Sequence, residues 1–314
     1  MARKIILDLD TGIDDALALA YALGSPDLEL LAVTGTYGNV TVEQGVANTL
    51  SLLDLLARPD IPVYAGPGHA SDRQGFEVLE ISRFIHGGNG IGNVDVARSS
   101  RGVQAGSAVD FLIGAVASHG DDLVIVSTGP STTVAQAMKQ SEDFAHNARI
   151  VFMGGALTVP GNVTPWSEAN VHQDPPASDY MLRQSRDISM VGLDVTLQTL
   201  LTTEHTATWR GLGTAAGRTY ADMLDYYIDA YAVTAPYLGG CGLHDPLAVA
   251  AAEDDSIITW LPHAMKVDVE GPTRGRTIGD ETQMGPSRRS RVAVGVDAER
   301  FVARLMERMA TALA

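Results

Sequence analysis

The sequence predicts an α/β protein: a mostly parallel open sheet flanked by helices, with extra helices and a small side sheet in the C-terminal part. Three observations predict it. Short β-branched runs alternate with longer amphipathic segments from Lys4 to Val191. Those runs are apolar throughout rather than alternating, as in strands covered on both faces. The composition, 45% apolar against 19% charged, supports a large core and excludes a disordered chain. A chain of 314 residues has room for two average domains, yet α/β folds of this length often form one. Residues 1–314 are expected to be a single domain.

Lys4–Leu9 reads as the first buried strand. A helix over Ile13–Leu23 follows, because Ile13, Leu17 and Ala20, and likewise Ala16, Leu19 and Leu23, recur at helical spacing. Leu28–Thr34 is the second strand, Val42–Leu56 the second helix and Ile61–Tyr64 a short third strand. The stretch 66–102 is rich in Gly, Ser and Asn and lacks periodicity. A loop that long is usually functional or mobile. Helix Val103–Ser118, strand Leu123–Ser127, helix Thr132–Lys139 and strand Ile150–Met153 resume the alternation, and helix Ala177–Gln184 with strand Ile188–Val191 closes it. Thr203–Leu212, Ala215–Ala235 and Pro246–Ala252 read as helices. Ala264–Val269 and Arg291–Val296 are expected in an edge or side sheet, and Ala298–Leu313 as a closing helix. In such sheets ligands bind beyond the carboxyl ends of the strands.

Charge narrows the function classes. Lys and Arg number 22 against 38 Asp and Glu, a net charge of −16. Nucleic acid is therefore a poor partner, since phosphates need cationic neutralisation. An anionic membrane surface is disfavoured for the same reason. No stretch approaches the roughly 18 uninterrupted apolar residues of a membrane span. The basic start Met1–Lys4 is followed by an apolar run, Ile5–Leu7, too short for a signal-peptide core. The one cysteine, Cys241, has no internal disulfide partner, which fits a reducing compartment. A cytoplasmic protein is expected.

Four carboxylates, Asp8, Asp10, Asp14 and Asp15, fall within eight residues where the first strand meets the first helix. Alternation puts Asp8 and Asp10 on one strand face. Asp14 and Asp15 lie in the first helical turn, where free N–H groups and the helix dipole favour anions. As helix caps and solvated side chains, single members need no further explanation. The whole cluster does, because close carboxylates repel and no Lys or Arg lies between Lys4 and Arg58. Oxygen-rich sites of this kind suit Ca²⁺ or Mg²⁺.

With Gly12 and Ala16, these aspartates form a motif that resembles the N-terminal signature of the nucleoside hydrolases, the inosine–uridine-preferring ribohydrolase family. Further segments match in the same order: Gly38-Asn39-Val40, Ser127-Thr128-Gly129-Pro130, Phe152-Met153-Gly154-Gly155, Glu168-Ala169-Asn170, Asp174-Pro175 and His244-Asp245-Pro246. The resemblance implies the Rossmann-like fold of that family. It implies Ca²⁺-dependent hydrolysis of the N-glycosidic bond of ribonucleosides such as inosine and uridine, giving ribose and a free purine or pyrimidine base for nucleoside salvage. It also implies a homodimer or homotetramer.

Residue by residue, the resemblance makes Asp10, Asp15 and Asp245, with the carbonyl of Thr128, the metal ligands. Asp245 before Pro246 reads equally well as a helix N-cap. Asp10 matches the general base acting on a metal-bound water, and the ribosyl group develops oxocarbenium character. Asp14, Asn39, Asn162, Glu168 and Asn170 match residues that hold the ribose hydroxyls, a donor and acceptor set suited to a polyol. Met153 matches a residue packing near the sugar, though a core methionine explains it as well. His244 and His86 match the histidines on the base side. Tyr227 and Tyr231, four apart on one helix face, match aromatic residues beside the base, and core packing accounts for them equally. The segments around His86 and Tyr227 resemble ones that close over substrate. Ala169 departs from the aromatic or bulky residue that many members carry there.

Two other readings compete. Asp8-Leu9-Asp10-Thr11 is also similar to the opening of haloacid-dehalogenase-type phosphatases, with Asp8 as nucleophile. Against it, Asp14 and Asp15 run straight into a helix and leave no flap segment. A non-catalytic nucleoside- or ribose-binding protein would keep the polar pocket and lack turnover.

Overall fold

A computed structural model describes residues 2–283 and 289–314; Met1 and residues 284–288 lie outside them. The strands run in chain order β1 (Arg3–Leu9), β2 (Leu28–Gly35), β3 (Val63–Ala65), β4 (Leu123–Ser127), β5 (Arg149–Met153), β6 (Asp187–Val191), β7 (Leu200–Leu201), β8 (Cys241–Gly242), β9 (Ile258–Pro262), β10 (Met265–Val267), β11 (Thr277–Gly279) and β12 (Arg289–Val296). Eight of them form one sheet in the order β3-β2-β1-β4-β5-β6-β12-β9. Every neighbouring pair is parallel except β12 with β9. β7 with β8 and β10 with β11 make two small antiparallel pairs.

The continuous apolar strands are explained by two cores. Side chains alternate across a strand, so Ile5, Leu7 and Leu9 of β1 enter one core while Ile6 enters the other. The first core packs the helices Ile13–Gly24, Asp245–Glu253 and Ala298–Ala312 against one face of the sheet. The second packs Ala108–His119, Thr132–Gln140 and Pro175–Gln184 against the opposite face. Each fully buried Leu or Ile contributes about 1.5–3 kcal/mol. No described helix is long and apolar enough to cross a membrane.

The structure corrects several expectations. β12 is an inner strand, parallel to β6 and antiparallel to β9. The edge belongs to β9, whose exposed Thr259 and Leu261 hide its strand character. The third strand starts only at Val63, because Pro62 has no N–H for the ladder. The helix expected from Val103 begins at Ala108, where the Ser107 hydroxyl caps the Asp110 amide at 3.0 Å. The stretch 66–102 is not all loop: Glu80–His86 is helical. Short helices at Glu142–Asn147, Ala169–Gln173 and Leu193–Thr196 are too brief for a 3.6-residue period to declare itself. Asp245 is the first residue of its helix and His244 occupies the cap position, so Asp245 is not the N-cap.

Candidate active site

The carboxyl ends of β1, β2, β4 and β5 meet the amino ends of several helices around a cavity of about 300 Å³. Asp10 lies one residue past the end of β1, and Asp14 and Asp15 in the first turn of the next helix. Asp15 completes that turn by accepting from the Gly12 amide at 2.7 Å. Its other oxygen accepts from the Thr128 hydroxyl at 2.8 Å. Asp10 accepts from the Asn39 amide at 2.6 Å. The neighbouring Gly38 has to be glycine, since a Cβ there would sit 2.0 Å from Asp10 Oδ2. Asp10 and Asp15 are fully buried beneath the cavity rather than lining it, and Asp14, Asn39, Thr128 and Asp245 line it.

Asp8 goes elsewhere. Its carboxylate is wholly buried between strands and accepts from the Thr34 hydroxyl at 2.6 Å, with Ser127 at 3.5 Å. Both its oxygens are taken by hydroxyls between strands, whereas Asp10 keeps one oxygen without a partner, and this speaks against Asp8 as a nucleophile.

Burial raises every carboxylate of the floor. Asp14 and Asp15 are pushed up to about 6, Asp15 with added repulsion from Asp14. Asp10 and Asp245 lie well above the usual range, from burial and then from the neighbouring carboxylates. No Lys or Arg lines the cavity among the described residues. Asp10 Oδ1 and Asp14 Oδ1 are buried and make no hydrogen bond. Oxygens of Asp14, Asp15 and Asp245 lie within 4.8 Å of one another, so this group holds Asp14, expected on the sugar, in place of Asp10, expected as a ligand. Orphaned acceptors crowded without a cation are the donor set of a hard-metal site, so these residues fit a metal ion.

The far side of the floor comes from the segment after β5. Glu168 caps the helix Ala169–Gln173, accepting from the amides of Asn170, Gly155 and Val171 at 2.9, 2.9 and 3.2 Å. Burial pushes its carboxyl up to about 7. The Asn170 side-chain Nδ2 donates to the carbonyls of Thr128 and Met153, at 2.5 and 3.1 Å. Asn162 Oδ1 accepts from the Ala169 amide at 3.0 Å. Met153, Asn162, Glu168 and Asn170 all line the cavity.

The opposite wall is aromatic. Rings of His86, Tyr227, Tyr231 and His244 follow one another with centroids 5.4, 4.9 and 6.3 Å apart. Burial lowers both histidines to about 4, so both are neutral at pH 7. His86 Nδ1 accepts from the Ile13 amide at 3.1 Å. Its proton is therefore on Nε2, and the Asp14 oxygen 3.8 Å from Nδ1 faces no donor there. His244 lies between the Thr196 hydroxyl at 2.8 Å and the Tyr231 hydroxyl at 2.5 Å. Tyr227 donates to Asp14 at 3.4 Å and so joins wall to floor. Sequence reasoning missed Thr196 and the lining residues Ile81, Ser82 and Ile85. The last three lie in the stretch 66–102, which lacks periodicity, so no signal pointed to them.

Comparison with known proteins places the chain in a family. Residues 5–303 match the family described as inosine-uridine preferring nucleoside hydrolase. The pyrimidine-specific ribonucleoside hydrolase RihA of Salmonella agona strain SL483 is 35% identical over 312 residues, covering 98% of this chain and 99% of its own. A probable uridine nucleosidase 2 of Arabidopsis thaliana is 34% identical over 98% of this chain and 97% of its own. The solved purine-preferring ribonucleoside hydrolase from Gardnerella vaginalis superposes with a TM-score of 0.97 at 56% identity, covering 99% of both chains.

Proposed function

Because the chain belongs to the inosine-uridine preferring nucleoside hydrolase family and is thus an N-glycosidase acting on ribonucleosides, we propose that it works with Ca²⁺ and with Asp10 as general base. The observation that carries this reading is the buried carboxylate floor, which no Lys or Arg lines among the described residues, with Asp10 Oδ1 left without a partner. Asp10, Asp15, Asp245 and the Thr128 carbonyl would hold the ion. When bound, it keeps the crowded carboxylates ionised and acidifies water within its reach. Asp10 takes the proton of the attacking water at its free oxygen. The C–N bond breaks as the C–O bond forms, and the carboxylates stabilise positive charge on the ribosyl group.

Asp14, Asn39, Asn162, Glu168 and Asn170 hold the ribose hydroxyls, and Met153 packs against the sugar. The departing base carries away the bonding pair and needs a proton. Neutral His86 offers its Nε2 proton as a hydrogen-bond donor. His244, between two hydroxyls, can accept a proton on one nitrogen as it releases one from the other. Tyr227 and Tyr231 flank the base. The 56% identity to a purine-preferring relative supports a purine preference. The same reading treats residues 1–314 as one hydrolase domain, and takes a cytoplasmic homodimer or homotetramer from the family resemblance.

The test is release of free ribose and free base from inosine, adenosine, uridine and cytidine, with and without chelator. Ribose release that stops on chelation and returns with Ca²⁺ is expected, fastest with the purines. Undiminished turnover in excess chelator would remove the metal from the reading.

A further inference from the structure

The short helix Leu193–Thr196 follows β6 and serves both sides of the cavity. Thr196 holds His244, and Leu193 and Leu197 line the cavity beside it. Asp194, between them in sequence, is buried and faces the other way. One of its oxygens accepts from the Leu157 amide at 2.9 Å. The other accepts from the Thr158 amide and the Thr158 hydroxyl, both at 2.6 Å. Three donors on one carboxylate make a stiff joint, since charge-assisted hydrogen bonds are short and strong.

The joined segment is the one that carries Asn162. Beyond Thr158 the chain turns through Pro160, Gly161 and Asn162 along the cavity mouth. It folds back on itself, with the Gly161 amide donating to the Pro165 carbonyl at 3.3 Å and the Val163 amide to the Ser167 carbonyl at 3.2 Å. Asn162 Oδ1 is occupied by the Ala169 amide. That leaves its NH₂ as the donor facing substrate. One end of this loop is held by the Glu168 cap, and the other by Asp194.

We infer that Asp194 is a positioning residue for sugar recognition: it sets the height of the Asn162 loop over the cavity and acts through Asn162. The inference rests on the proposed sugar-binding role of Asn162. An effect on substrate binding rather than on bond breaking follows, because the side chain of Asp194 bonds only the segment that leads to Asn162. This residue emerges only in three dimensions, since the helix carrying it is four residues long.

Asp194→Asn keeps the size and turns one acceptor into a donor facing an N–H. In steady-state assays with the best ribonucleoside, KM should rise about tenfold and kcat should stay within threefold. Asn162→Ala should do the same. In the double variant, Asp194→Asn should add less than a twofold change to Asn162→Ala. Thr158→Val removes one of the three bonds while leaving both backbone amides, and should raise KM about twofold, again only while Asn162 is present. It serves as the test if Asp194→Asn does not fold. Multiplying effects in the double variant, or a fall in kcat at unchanged KM, would overturn the inference. An Asn162→Ala enzyme with native kinetics would instead remove the sugar-binding reading beneath it.

Discussion

The floor of the cavity and its aromatic wall solve opposite problems. The floor gathers carboxylates at strand ends and helix starts, in positions fixed by a sheet buried on both faces. Burial makes every one of them reluctant to ionise. The wall gathers neutral rings from helices that meet only through tertiary packing. Tyr226 on the helix Ala215–Thr234 donates to the Phe84 carbonyl at 3.1 Å, which ties the His86 helix to it. The floor is therefore electrostatically strained and mechanically rigid, while the wall is electrostatically relaxed and held by fewer bonds to the sheet. Strain of that kind is useful only if a cation relieves it, and neutrality of that kind only if protons are to be passed.

The contrast can be broken at its strongest point first. Asp10→Asn should lower kcat by about 10³-fold, the scale of a lost general base. The same change should leave the metal-free protein as stable or more stable, because it removes one charge from a repelling group. A metal-free variant that unfolds more readily than wild type would show that the floor is not strained.

Stability against pH sharpens the point. Asp14 and Asp15, at about 6, and Glu168, at about 7, lie above their ordinary values in the folded protein. The folded state thus holds protons that the unfolded chain releases from about pH 4 upward. Its stability is full below that and declines as pH rises through 6 and 7. Chelated protein should lose on the order of several kcal/mol between pH 5 and pH 8 in denaturant titrations. Ca²⁺-loaded protein should show little of that slope, with about 4 kcal/mol regained at a thousand times the dissociation constant. Equal stability of the chelated protein at both pH values would contradict the raised carboxylates.

The wall gives the smallest effect. His244→Ala should lower kcat by about 10²-fold on an ordinary nucleoside. It should matter far less on a riboside whose leaving group departs as a stable anion, since no proton is then needed. An equal loss on both substrates would assign His244 to shape rather than to proton transfer.

The same division decides what could be read from the sequence. Floor residues sit in local motifs, so Asp14 and Asp15 are legible from spacing and strand–helix alternation, while Asn39 and Glu168 stand out only through the resemblance to a family. The separate fates of Asp8 and Asp10 are not, because both are buried and only the neighbouring strands decide which keeps an oxygen without a partner. Tyr227 and Tyr231 are four apart, which shows that they share a face and not what the face meets. His86 falls in a stretch without periodicity, yet it ends a seven-residue helix. Thr196 and Asp194 left no trace, because a four-residue helix has no period. The strand beside the open edge was misplaced for a related reason: half-exposed β9 carries a weaker apolar signal than the inner strand it covers.

The helix Ala298–Ala312 lies far from the cavity, yet it covers the back of the helix that bears Asp14 and Asp15. Phe301 and Tyr21 lie with ring centroids 6.5 Å apart, although 280 residues separate them in sequence (301 − 21). A Cβ on Gly24 would come within 1.9 Å of the Arg308 carbonyl, so the two helices touch backbone to backbone. During synthesis, the acidic helix waits for this cover until about 280 further residues are made. Contacts that distant in sequence form late and slowly. The helix that bears Asp14 and Asp15 thus gains its backing only after the strands that frame the floor have been made.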